Sequence, residues 1–158
     1  MANVSPGYTF TGASDPITYS KLNLVAQPTV TIGVAEVTNE NLDSSEGIGY
    51  VTGNGGTVTQ ATSKSTGVTL NKPSGQITMN NAALASDTTV SFTLTNVCCQ
   101  PGDLLVLNHV SGGTAGAYTL NGQCASTGSA TINVRNITAG SLGEAIVIAF
   151  AVIKGATS

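Results

Sequence analysis

The stretch Ala145-Ile146-Val147-Ile148-Ala149-Phe150-Ala151-Val152-Ile153 is nine apolar residues in a row, closed by Lys154-Gly155. Only 8% of the 158 residues are charged, so a run of this kind does not face water along its whole length. Nine residues are too few to span a bilayer as a helix. β-Branched residues are frequent in the run and a Lys-Gly pair ends it. It therefore reads as a strand buried on both faces. A small β-domain normally buries one face of each strand, so the second face needs another sheet or a second copy of the chain. Ile146, Ile148, Phe150 and Val152 are the residues expected at such a subunit interface, with Arg135 as a hydrogen-bond donor across it.

Working backward from this strand, the pattern remains β as far as Gly47. Residues 129–137 alternate, and 89–95 alternate most cleanly, with Val90, Phe92 and Leu94 inward and Ser91, Thr93 and Thr95 outward. Residues 104–110 form a second, nearly continuous apolar strand. Ser111-Gly112-Gly113-Thr114 then turns into 115–120, which reads as its hairpin partner. Shorter strands are expected at 57–60, 68–70 and 76–79, with a Pro-Gly turn over 71–75. Asn80 followed by Asn81-Ala82-Ala83-Leu84-Ala85 predicts one capped helical turn. Seven or eight short strands with turn signals about every 8–12 residues indicate an all-β, antiparallel β-sandwich, jelly-roll-like.

Residues 1–46 differ. Five of the eight acidic residues lie there (Asp15, Glu36, Glu40, Asp43 and Glu46), and apolar residues are too few for a separate core. Asp15-Pro16 suits a helix start, so one or two helical turns are expected over 15–24. An extended segment with Val30, Ile32 and Val34 on one side follows. The division expected is an extended N-terminal attachment arm over 1–46 and a β-sandwich knob with trimerisation function over 47–158. The arm gains order by lying on another protein, through Tyr8, Phe10, Ile17, Tyr19, Leu22, Leu24, Val30 and Ile32.

Composition excludes several functions. Net charge is −3, and five basic residues are scattered along the chain. No basic patch forms for nucleic acid, and no basic amphipathic helix forms for a membrane surface. The N-terminus lacks the positive and apolar regions of a secretory signal, so synthesis in the cytosol is expected. Three cysteines, Cys98, Cys99 and Cys124, do not make a disulfide framework. They read as small buried hydrophobes, or as a pairing of Cys124 with Cys98 or Cys99 after release into an oxidising medium. One histidine, His109, stands in an apolar strand without an acidic orienter beside it. Asp87 and Asp103 are the carboxylates that loops could bring to a cation, though no EF-hand ligand run is present. Gly53-Asn54-Gly55-Gly56 lacks the Lys-Ser/Thr and helix of a phosphate loop. No enzyme, cofactor or metal site is expected.

Residues 53–75 (GNGGTVTQATSKSTGVTLNKPSG), 111–118 (SGGTAGAY), 134–138 (VRNIT) and the terminal FAVIKG at 150–155 together resemble a module of tailed-bacteriophage virion proteins. The likeness covers residues from about 50 to 155. The start, Pro6 to Phe10 and on to Asn23, is similar to attachment ends of capsid-decoration and fibre proteins. The module occurs in more than one kind of virion part, so the resemblance implies a phage-particle protein without fixing its place; the expectation taken is a homotrimeric capsid cement protein on the exterior of the virion, bound to the major capsid protein or another virion protein. Its alternative is a short head or tail fibre, or a receptor-binding knob, in which residues 61–67, 111–116 and 122–129 contact a host glycan or surface protein. No catalytic residues come with the family. A surface of Thr, Ser, Asn and Gly also suits a particle exterior, because it depends little on ionic strength.

Overall fold

The computed structural model describes residues 3–5, 29–31, 49–50 and 53–155. The chain divides into two compact units, Met1–Gly49 and Tyr50–Ser158. In the first, β1 (Asn3–Ser5) pairs antiparallel with β2 (Thr29–Thr31), Val4 opposite Val30. Tyr8, Phe10, Ile17, Tyr19, Leu22, Leu24 and Ile32, with the helical turns expected over 15–24 and the acidic link after Glu36, lie outside the described residues.

The second unit carries eight strands: β3 (Thr57–Thr59), β4 (Val68–Thr69), β5 (Ser74–Thr78), β6 (Thr89–Thr95), β7 (Leu104–Ser111), β8 (Tyr118–Ser126), β9 (Ser129–Asn136) and β10 (Val147–Ile153). They form two four-stranded sheets, ordered β3-β5-β10-β7 and β4-β6-β9-β8. There is no helix among the described residues, and so none long and apolar enough to cross a membrane.

The sheets are mixed, which corrects the antiparallel expectation. β3 runs parallel to β5 and β4 parallel to β6. Parallel neighbours need a crossover, and here each crossover contains a strand of the opposite sheet. The chain passes from β3 to β4 in the other sheet, returns as β5 and crosses again as β6. After this coil the pairing is antiparallel. β10 lies between β5 and β7, and β9 lies between β6 and β8. Only β8 and β9 are joined as a hairpin within one sheet, through a turn with Gly128 at φ +76.

Three further expectations change. Residues 115–120 are not the hairpin partner of β7: from Tyr118 on they begin β8, which pairs with β9 in the other sheet, while β7 takes β10. Residues 80–85 form no helical turn. Asn80 Oδ1 accepts the Ala82 N–H at 2.8 Å, an Asx turn, and Leu84 bridges Leu142; the short polar side chain competes with helix for the local backbone. Ser74 and Gly75, expected in a turn, already pair with Ala151 and Phe150 of β10.

The inward faces of both sheets supply one hydrophobic core. Ile77 of β5 and Ile148, Phe150 and Val152 of β10 contribute from one sheet, and Phe92, Leu94, Ala130, Ile132 and Val134 of β6 and β9 from the other. β7 lies against β8 where Gly122 leaves room; a Cβ there would stand 2.8 Å from Leu105 Cδ2 and Leu107 Cδ1. The buried polar side chains among the described residues are Gln60, Lys64, Asn96 and Asn136, and each hydrogen-bonds the backbone of a connection. The Asn136 amide donates to the carbonyls of Leu84, Ala85 and Gly140 and accepts from Thr138. No buried side-chain nitrogen or oxygen among the described residues lacks a partner.

Ile148→Ala should cost about 2–5 kcal/mol in chemical denaturation, because it leaves a cavity at the centre of the core. Asn136→Ala should cost about 1–3 kcal/mol, since it leaves the Ala85 carbonyl without a donor and takes one donor each from Leu84 and Gly140, which keep Leu142 and Thr138. A loss below about 1 kcal/mol in either would place that residue outside the packed centre.

Candidate functional site

The burial of β10 alternates. Ile148, Phe150 and Val152 point into the core of their own chain, as does Ile146 just before the strand; Val147, Ala149 and Ala151 are half-buried and Ile153 is exposed. This corrects the expectation of a strand buried on both faces by protein of two kinds. Ile146 and Ile148 are 0% exposed in a single chain, so they leave no surface for a second copy. The outward set is displaced by one residue, and in a strand one residue is the other face.

The same outward face continues onto β7. Leu104 is 61% exposed, Val106 50% and Val110 43%, and Ile153 beside them is 49% exposed. The register sets Ile153 opposite Leu104, Ala151 opposite Val106 and Ala149 opposite Asn108. Large aliphatic side chains on β7 thus form a ridge beside the low floor of Ala149 and Ala151. None of these residues is charged. Single exposed apolar residues are ordinary; Leu104, Val106 and Ile153 lie side by side, with exposed Asn108 between them and Val110, and such a group is a candidate interaction surface. The sequence signal for it was the unbroken run Leu104-Leu105-Val106-Leu107, which leaves apolar residues on both sides of a strand.

The ionisable groups of the described residues make local contacts. Glu144 accepts the Thr114 hydroxyl at 2.6 Å, the Thr114 N–H at 3.0 Å and the Tyr118 hydroxyl at 2.8 Å. These donors, Thr114 first, hold its carboxyl below the usual carboxylate range. Burial and then the Glu144 carboxylate push the Tyr118 hydroxyl up. His109 meets Tyr118 edge-on, with ring centroids 5.8 Å apart, and its Nε2 lies 2.6 Å from the Gly112 carbonyl, which requires a proton on that nitrogen. The cluster clamps residues 111–116 to the segment before β10. No signal in the sequence marked Glu144 for this role.

Other candidate residues have equally local duties. Arg135 forms an exposed ion pair with Asp87 at 2.5 Å. Asp103 binds Lys154 Nζ at 2.7 Å and the N–H groups of Gly155 and Gln100, and Lys154, ahead of the other influences, keeps its carboxyl low. Asp87 and Asp103 are thus engaged separately, and no group of three His, Cys, Asp or Glu among the described residues is placed to hold a metal ion. In the segment 61–67, Lys64 is buried and donates to the carbonyls of Asn80 and Glu144; burial lowers its pKa, and Glu144 opposes that shift. Most of 122–129 is strand and a tight turn, not a loop. Neither a family model, a curated protein nor a solved structure matches the chain.

The depressed Glu144 pKa has a definite pH consequence. A carboxylate favoured in the folded state adds stability that is present above its unfolded value and is lost as pH falls through the folded one. The melting temperature of Glu144→Gln should lie below that of the native chain at neutral pH, and the gap should narrow on acidification below about pH 4. A gap that stays constant down to pH ~2 would mean that the Glu144 charge does not hold the clamp.

Proposed function

We propose that the protein is a structural component of a tailed-bacteriophage particle, a homotrimeric cement or decoration protein on the capsid exterior. The two sheets are read as the layers of a jelly-roll-like sandwich, and residues 1–46 as an extended arm that lies on the major capsid protein or another virion protein. The observation that carries this reading is the uncharged, exposed row Leu104, Val106, Val110 and Ile153 beside Ala149 and Ala151, on a unit whose ionisable groups serve its own loops.

The ridge on β7 of one copy fits the alanine floor on β10 of the next. Such a contact uses two different patches and closes into a ring after a fixed rotation; three copies close it at a local threefold position of a shell. Association removes apolar area from water at about 25 cal/mol per Å² before ordering costs are subtracted. Three arms on one trimer then multiply weak contacts with the shell through effective concentration. The protein is assigned no catalytic role, cofactor or nucleic-acid partner.

Val106→Asp should keep a cooperative unfolding transition, since its side chain lies outside the core, but should reduce the species seen by native mass spectrometry to the 15.8 kDa chain. Deletion of residues 2–40 should leave the trimer intact and abolish co-sedimentation with particles; loss of the trimer would contradict the division of labour. Hundreds of copies per particle support cement, whereas a few dozen or fewer would favour the fibre or receptor-binding knob and count against the capsid assignment.

A further inference from the structure

Cys99 and Cys124 stand 25 positions apart in the sequence and meet in the core. Cys99 belongs to the turn that follows β6. Its N–H donates to the Asn96 carbonyl at 3.0 Å and its carbonyl accepts the Gly128 N–H at 2.9 Å, while the Asn96 N–H donates to the Gly128 carbonyl at 2.9 Å. These bonds clamp the turn onto the β8–β9 hairpin. Cys124 lies on the β8 arm of the same hairpin, next to the irregularity between Gln123 and Ser126. Both side chains are buried in the one hydrophobic core, and the neighbouring Cys124 side chain helps to push the Cys99 thiol up. Cys98, the third free cysteine, is only half-buried.

We propose that Cys99 and Cys124 are a latent modification site: a buried dithiol that a small disulfide oxidant, of the class of oxidised glutathione, converts to an intrachain disulfide once the protein has left a reducing cell. One protein thiolate attacks the oxidant, its sulfur bonds to one half, and the other half departs as a thiol. The second protein thiolate then attacks that mixed disulfide, the protein S–S bond forms, and the remaining half departs. Two protein thiols lose two protons and two electrons, and one small disulfide becomes two small thiols. The ring so closed contains all of β7, the strand that carries the exposed apolar row, and holds it from both ends to the other sheet.

The surroundings make the reaction slow and not catalytic. Burial, with the Cys124 side chain behind it, pushes the Cys99 thiol up to about 12. The thiolate is the reacting form, so attack by Cys99 is slow at neutral pH. The reaction accelerates as pH rises toward that value. The local backbone bonds already hold the Cys99 turn to the hairpin that carries Cys124, so closure constrains chiefly the unfolded chain.

The test uses the full chain incubated with oxidised glutathione at about pH 8.5, followed by blocking of free thiols and mass spectrometry without reductant. The expected product is monomeric in covalent terms, has lost two of its three thiols, and links the Cys99 and Cys124 peptides. Cys98→Ser should form the link as the native chain does, and Cys124→Ser should not form it. The oxidised chain should melt roughly 10 °C higher than the reduced one, and a dithiol reductant should reverse the shift. Three surviving thiols, a link that requires Cys98, or disulfides only between chains would overturn the proposal. These outcomes are independent of whether the protein sits on a capsid.

Discussion

The placement of β10 at the interior of a sheet is the constraint on which the rest depends. Its backbone is paired on both sides, to β5 from Val147 to Ala151 and to β7 along its whole length. Its core face, Ile148, Phe150 and Val152, meets the inward residues of β6 and β9. A strand in that position has no free ladder and no mobile side chain on its inner face. What it leaves open is its outer side, where three half-buried residues and Ile153 lie beside the exposed aliphatics of β7. The apolar surplus of the sequence is thereby sorted into a core and an exposed apolar face by the period-2 geometry of one element.

The polar residues follow from the same arrangement. Nearly every connection in the second unit passes from one sheet to the other, so each must turn over the end of the core and satisfy its backbone there. Gln60, Asn96, Asn136 and Lys64 do this from inside. The Gln60 amide nitrogen donates to the carbonyls of Lys64 and Thr66, and its oxygen accepts the Asn80 N–H. The Asn96 amide donates to Lys72 and accepts from Cys98. Side-chain amides thus fasten these loops without ion pairs.

Much of the strand content was legible. β6 was read at its true bounds and with its faces assigned, because Val90, Phe92 and Leu94 alternate without interruption. β9 was legible for the same reason. The parallel pairs were not legible, since which strands become neighbours depends on contacts between distant segments and not on local pattern. The partner of β7 was misjudged because a Gly-rich turn after a strand looks alike whether the chain folds back in the same sheet or crosses to the other. The exposed apolar face was half-legible. The excess of apolar residues over what one core face requires was visible in residues 145–153, but in an unbroken run alternation gives no phase. The run therefore does not say that Ile146, Ile148, Phe150 and Val152, expected at an interface, are the residues that the chain's own core takes.

The account stands most directly on the mass of the intact chain in dilute solution. Sedimentation velocity across a dilution series into the micromolar range should show one species of about three times the 15.8 kDa chain mass. A stable species of single-chain mass over that whole range, with Leu104, Val106 and Ile153 open to water, would contradict it.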